Sequence, residues 1–254
     1  ARPGQQLLCR TDGLSRRLTS VTKESIMKVT QYKALGFSFG TLVDRERGIL
    51  EGLRPLSVQA TALASDEQVL SAYRRTAREL AATGAGDSPA AFHGQLYQRL
   101  AHQLHIVPGW DDSVAFSTAS SQWPIFEDAP GALQYLSKFY RLILIAPPYG
   151  MDIHSLTGRL PVAFDAIIEP RANDWHASLE RELHRLGLER SELLPVRSTE
   201  SDDPWNERVD FPVCTLRRDH HQPWNHSDQA LDGKRCEYAS LADLVHAHQK
   251  ALHA

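Results

Sequence analysis

The chain has 254 residues, 42% hydrophobic and 23% charged, enough for a substantial core in one large domain or in a core with a small insert. Its 28 basic and 31 acidic side chains give a formal net charge of -3, so no cationic excess is available for a phosphate backbone or an anionic membrane, and no nucleic-acid partner is expected. The longest apolar runs, such as LILIAPP at 142–148, fall far short of the roughly 20 residues a spanning helix needs, and no membrane segment is expected.

Residues 1–30 carry Arg2, Arg10, Arg16 and Arg17 among Ser and Thr, with few acids and no apolar signal core. They read as an N-terminal extension, either a loosely docked tail or a transit-like segment. YKALGF, followed by Gly40 and Thr41, suits a buried first strand over about 32–38 that ends in a tight turn. From about Leu53 the pattern turns helical. SDEQVLSAYRRTARELAAT opens on a Ser-x-x-Gln capping box, Ser65 to Gln68, and AAFHGQLYQRLAHQLHI follows the break GAGDSP. Two helices placed after a first strand suggest a cap over residues 53–112, with the core formed by 31–52 and 113–254.

The chain then alternates. APGALQYLSKFY reads as a helix, RLILIAPP and FDAII as strands, WHASLERELHRLGL as a helix ending near Gly187, ELLPVRS and FPVCTLRR as short strands, and SLADLVHAHQKAL as a closing helix. Such alternation predicts an α/β fold, a Rossmann-like parallel sheet covered on both faces, with chemistry sought just beyond the carboxyl ends of the strands. Cys9, Cys214 and Cys236 are an odd set, widely separated, with neither disulfide-framework nor zinc spacing. A reducing, cytoplasmic setting is the simpler expectation.

The element order, together with QYKAL, GTLVD, LRPL, SDEQVL, WPIFEDAPGALQYLSKFYRLILI, FDAI, ELLPV and SLADLV, resembles the haloacid dehalogenase superfamily over roughly residues 31–254. It is most similar to the 2-haloacid dehalogenase-like branch found in fungi. The resemblance implies four motifs at the strand ends, the first supplying an Asp nucleophile three residues before the Gly of Gly-Thr-Leu. That position is Phe37 here, or Ser38 if one residue is deleted, and neither is a carboxylate. Where the second motif carries hydroxyl and amide donors the chain has Ala146 and Pro147, and Pro148 lacks an N–H. The third-motif Lys is missing, leaving Arg171 and His176 as cations. Thr199 and Asp203 keep the fourth motif's spacing, with Asp202 alongside.

The implied mouth of the sheet contains Ser38, Phe39, Trp123, Tyr149, Asp152, His154, Glu169, Arg171, Asp202 and Asp203. Aromatic walls with a few acids suit an uncharged or cationic organic molecule, because a carboxyl group in an apolar pocket can donate a proton near neutrality. The expected activity is cofactor-free, metal-free acid/base isomerisation, cyclisation, epoxide rearrangement or dehydration of a metabolite, plausibly in fungal specialised metabolism. Asp203, Asp202, Tyr149 and Asp152 are the candidate acids, and Phe37, Ser38, Phe39, Trp123, His154, Glu169 and Arg171 are candidate substrate contacts. The alternatives are an inactive binding member of the fold or a residual hydrolase, with a homodimer left open.

Each candidate also has a plain structural reading. Trp123 can cover the hinge between cap and core, Asp44 and Asp203 can cap turns, and Glu169 and Arg171 can pair at the surface. His220, His221 and His226 read as a polar loop, and His246, His248 and His253 as surface residues of the last helix.

Overall fold

The computed structural model describes residues 29–60, 65–84, 88–146, 152–169, 175–199, 205, 212–218 and 235–253. Six strands among them form one sheet: β1 Ala34–Ser38, β2 Arg141–Ile145, β3 Ala166–Ile168, β4 Leu193–Ser198, β5 Val213–Leu216 and β6 Arg235–Tyr238. Their order is β3-β2-β1-β4-β5-β6, and every pairing is parallel. All five residues of β1 are buried, as a continuous apolar run between two parallel neighbours requires. The order reverses between β1 and β4, which places a crevice at their carboxyl ends.

Alternate residues of each strand feed two cores. Leu35 and Phe37 join Leu142, Leu144, Leu194 and Val196 in the larger one, while Ala34 joins Ile143, Ile145, Ala166 and Ile168 in the smaller. Helix α5, Ala129–Leu136, and helix α8, Leu241–Leu252, cover the first face with Leu133, Leu136, Leu241 and Leu244. The second is covered by Trp175, Leu179 and Leu183 of α7, Trp175–Leu186, and by Trp205. Helix α7 is followed by Gly187 at a φ of 68°, a left-handed stop that glycine takes without a Cβ clash. A short helix α6, Ile153–Thr157, lies between β2 and β3.

Five helices separate β1 from β2, α5 being preceded by α1 Arg45–Ser57, α2 Asp66–Ala82, α3 Pro89–Gln103 and α4 Trp110–Ala119. The capping box of α2 is reciprocal, with Gln68 N donating to Ser65 Oγ and Ser65 N donating to Gln68 Oε1. Helix α3 starts from Ser88, whose Oγ accepts from Ala91 N, with Pro89 at its first position. The expected boundaries at 53 and 112 therefore fall inside α1 and α4. Helix α1 begins earlier because the Asp44 carboxylate accepts from Arg47 N, a cap that the helix-poor composition of RERGILEGLRPLS conceals.

Gly48 and Gly52 lie one turn apart on the same face of α1. A Cβ on Gly48 would stand 2.4 Å from Trp123 Cδ1, and one on Gly52 would stand 2.5 Å from Phe116 Cδ2. The two glycines therefore let the aromatic rings reach the α1 backbone. Through these contacts the larger core continues from the sheet into the helical insert. No described helix is long and apolar enough to cross a membrane.

Candidate functional site

At the carboxyl end of β1 the chain turns through a short 3-10 segment, Phe39–Thr41. Thr41 Oγ1 donates to Ser38 O at 2.6 Å and Leu42 N to Phe39 O at 3.0 Å. The exit strap then pairs with the segment that returns from the insert. Asp44 N donates to Pro124 O, Phe126 N donates to Leu42 O, and Val43 bridges Ile125. Thus FGTLVD makes the turn after β1, an isolated β-bridge and the cap of α1.

The reactive position does not follow suit. Phe37 is 0% exposed, registered between Leu144 and Val196, and its ring belongs to the larger core. Ser38 and Phe39 are also buried, as are Thr41, Ala146 and Ser198 at the neighbouring strand ends. Phe37 therefore supports the rim from beneath and is not a wall of the mouth, because strand alternation turns it into the apolar core. Its side chain offers no oxygen to a cation such as Mg²⁺. Among the described residues no three His, Cys, Asp or Glu side chains group as metal ligands.

Asp152 caps α6. Its carboxylate accepts from Ser155 Oγ at 2.7 Å and Ser155 N at 3.1 Å. These bonds, the Ser155 hydroxyl first, hold its pKa below the ordinary carboxylate value. Asp152 is thus a carboxylate at neutral pH, engaged in capping α6, and not the proton-bearing acid expected from the sequence. His154 and Glu169 are exposed, His154 on α6 and Glu169 just after β3. Tyr149, Arg171, Asp202 and Asp203 lie outside the described residues, as do His220, His221 and His226.

A half-buried anchor fixes the same rim. Asp128 accepts from Arg218 Nη1 at 2.8 Å and from Leu241 N and Ala242 N at the start of α8. Arg218 Nη2 reaches Thr41 O at 2.7 Å, and the guanidinium lies 4.1 Å above the Phe126 ring. One ion pair thereby ties the turn after β1, the end of β5 and the first turn of α8 together, and the helix N-terminus favours the Asp128 charge.

A second constellation, in the insert, carries no local sequence signal. His93 of α3 is 0% exposed, with Phe92, Phe116 and Trp123 edge-on around its ring. Its Nδ1 is 3.0 Å from Pro89 O and its Nε2 3.2 Å from the Tyr73 hydroxyl of α2. The arrangement that satisfies every group puts the proton on Nδ1, donating to Pro89 O, and lets Tyr73 donate to Nε2. Burial, opposed in part by the Pro89 carbonyl and reinforced by the Arg45 charge, lowers the His93 pKa to about 4. His93 is therefore a neutral pin between α2 and α3.

Trp123 fills the seam, as the packing reading expects. Its carbonyl accepts from Arg159 Nη2, and its buried indole N–H has no acceptor among the described residues. His248 corrects a further expectation: it is buried, its Nδ1 3.0 Å from the Tyr135 hydroxyl, and desolvation lowers its pKa. Its position one helical turn beyond Leu244, on the packed face of α8, accounts for this. His246 and His253 are exposed.

No family model and no curated protein matches the chain. Solved structures do. A defluorinating L-2-haloacid dehalogenase superposes with a TM-score of 0.60 at 16% identity, covering 88% of this chain and 98% of its own. The L-2-haloacid dehalogenase from Xanthobacter autotrophicus, with chloropropionic acid covalently bound, gives 0.54 at 19% identity over 75% of this chain and 79% of its own. A putative HAD-hydrolase from Bacillus subtilis, bound to magnesium, gives 0.58 at 12% over 86% and 99%. The chain has the haloacid dehalogenase-like fold. At these identities the likeness concerns the fold, and activity must be argued from the site.

Proposed function

We propose that this chain is a non-hydrolytic member of the haloacid dehalogenase-like fold, an acid/base catalyst of isomerisation, cyclisation, epoxide rearrangement or dehydration of a small organic metabolite. The observation that carries the reading is Phe37, a fully buried hydrocarbon ring where the family places its nucleophilic carboxylate. Without a carboxylate no aspartyl ester can form, so any chemistry at this rim proceeds by proton transfer and charge stabilisation. Asp152, ionised at the start of α6, supports a role as counter-charge for a developing cation. Asp203 is proposed as the acid, with Asp202 and Tyr149 as the alternatives, because Asp203 keeps the fourth-motif spacing.

The close burial of Ser38, Phe39, Ala146, Ser198 and Trp123 favours a second reading, an inactive member that binds a metabolite or a protein. Both readings predict no phosphate or halide release above blank, with or without Mg²⁺, and robust release would remove both. Native mass spectrometry after incubation with extracts of small organic metabolites, followed by chromatography of the recovered molecules, separates them. An isomer or dehydration product marks a catalyst, whereas recovery unchanged marks a binding protein. With a converting substrate in hand, Asp203→Asn should slow the chemical step by about 10²–10⁴-fold while binding changes far less. Full turnover in that variant would remove Asp203 from the mechanism.

A further inference from the structure

Cys214 and Cys236 are far apart in sequence but directly opposite each other in the fold. They are registered partners on the adjacent parallel strands β5 and β6. Both side chains lie on the face of the larger core. Tyr32, itself buried, has its phenol close enough to both sulfurs to be influenced by them. Both cysteines are free thiols.

We propose that Cys214 and Cys236 form a reversible dithiol–disulfide switch whose natural oxidant is a small disulfide of the glutathione type. Neighbouring strands stand about 4.8 Å apart, within the span of roughly 4.4–6.8 Å that a disulfide bridges between Cα atoms. The Cβ atoms of an in-register parallel pair keep nearly the strand spacing, whereas a relaxed disulfide wants about 3.8 Å between them. Closing the bond must pull β6 toward β5, and that strain makes the bond easy to reduce. The pair is accordingly a labile switch and not a permanent staple.

The two sulfurs differ in access. Cys236, on the edge strand, is 8% exposed, whereas Cys214 is 0% exposed and burial raises its pKa. The Cys236 thiolate attacks the small disulfide first, breaking its S–S bond and releasing one thiol. The Cys214 thiolate then attacks the mixed disulfide at the Cys236 sulfur and releases the second. Two protein thiols are oxidised to one disulfide, one small disulfide is reduced to two thiols, and the two protons pass to those leaving thiols.

The test uses the full chain bearing Cys9→Ser, which removes the third thiol. The folded protein is equilibrated in glutathione buffers from fully reducing to fully oxidising, quenched in acid, denatured, alkylated and weighed intact. The expected product lacks two hydrogens, takes no alkylating agent, links the Cys214 and Cys236 peptides, and returns to the dithiol with dithiothreitol. Its midpoint should lie within the range that glutathione itself buffers. The Cys214→Ser version should instead stop at a single glutathione adduct on Cys236. The proposal is overturned if both thiols remain alkylatable at every ratio, or if an adduct on Cys236 persists beside an alkylatable Cys214. A link that forms only in urea, or one that stays closed at the most reducing ratio, overturns it equally.

Discussion

The centre of the sheet and the helical insert both bury large aromatic side chains, but they surround different partners. At the centre, Phe37 is registered between Leu144 and Val196, with no polar atom of its own to satisfy. In the insert, Phe92, Phe116 and Trp123 enclose the polar pair His93–Tyr73, and both imidazole nitrogens are engaged. A parallel strand buried on both faces is well served by a hydrocarbon, whereas a carboxylate there would carry a desolvation cost. A histidine in an equally dry place is stable only while neutral. The first region is indifferent to pH and hostile to charge, whereas the second couples folding to protonation.

The most severe way to break this contrast is to put a carboxylate at this position. Phe37→Asp deletes a fully buried ring and leaves an unpaired acid among aliphatic neighbours. A loss on the order of 4 kcal/mol or more is expected in urea unfolding, with no hydrolytic activity in return. Hydrolysis by a stably folded Phe37→Asp protein would show that the rim needs only its nucleophile.

Next in size is the rim's own polar anchor. Asp128→Ala leaves the largely buried Arg218 without its carboxylate and bares the first amides of α8. About 3 kcal/mol of destabilisation is expected, near the lower end for breaking a buried ion pair because neither partner is fully buried. A change within experimental error would mean that the pair merely decorates the rim.

His93 sharpens the other half of the comparison. Its pKa falls from 6.5 in the unfolded chain to about 4 in the fold, so between those values the unfolded state binds more protons. Its contribution to stability is complete above pH 6.5 and is lost as the pH falls toward 4, a change on the order of 3 kcal/mol. His93→Gln should flatten the stability–pH curve across that window while costing some stability at pH 7. Parallel curves for the two proteins would show that His93 is not the group that titrates.

The contrast also marks where the sequence could be read. Strands β1, β2 and β4 announce themselves because ALGFS, RLILI and LLPVRS are apolar runs of strand length, and the Ser65–Gln68 pattern specifies the start of α2. Helix α1 was hidden because Gly48, Gly52 and Pro55 depress helix propensity, and its two glycines make sense only once Trp123 and Phe116 are seen against them. Strand β6, RCEY, is too short and polar to stand out until Cys236 is paired with Cys214. The His93–Tyr73 contact joins residues on two helices, and neither residue is unusual in its own segment. Local pattern records what a residue prefers, whereas these features depend on what the fold sets opposite it.

The smallest expected effect tests that last point within a single residue type. Gly48 and Gly131 are both helical glycines, on α1 and α5, and propensity alone predicts that Ala at either gains up to about 1 kcal/mol. Their surroundings differ, because nothing lies within 4 Å of a Cβ placed on Gly131, whereas one on Gly48 meets three atoms of the Trp123 ring between 2.4 and 2.9 Å. The ring cannot swing away freely, since His93 packs against it at 5.3 Å between centroids and Arg159 holds the Trp123 carbonyl. Overpacking of this kind costs about 1–3 kcal/mol, which outweighs the propensity gain. Gly131→Ala should therefore raise the urea midpoint slightly and Gly48→Ala should lower it. Because Trp123 spans α1 and α3, the Gly48→Ala protein should also shift its tryptophan emission, and a rise in both midpoints would mean that the seam is loose enough to absorb a methyl group.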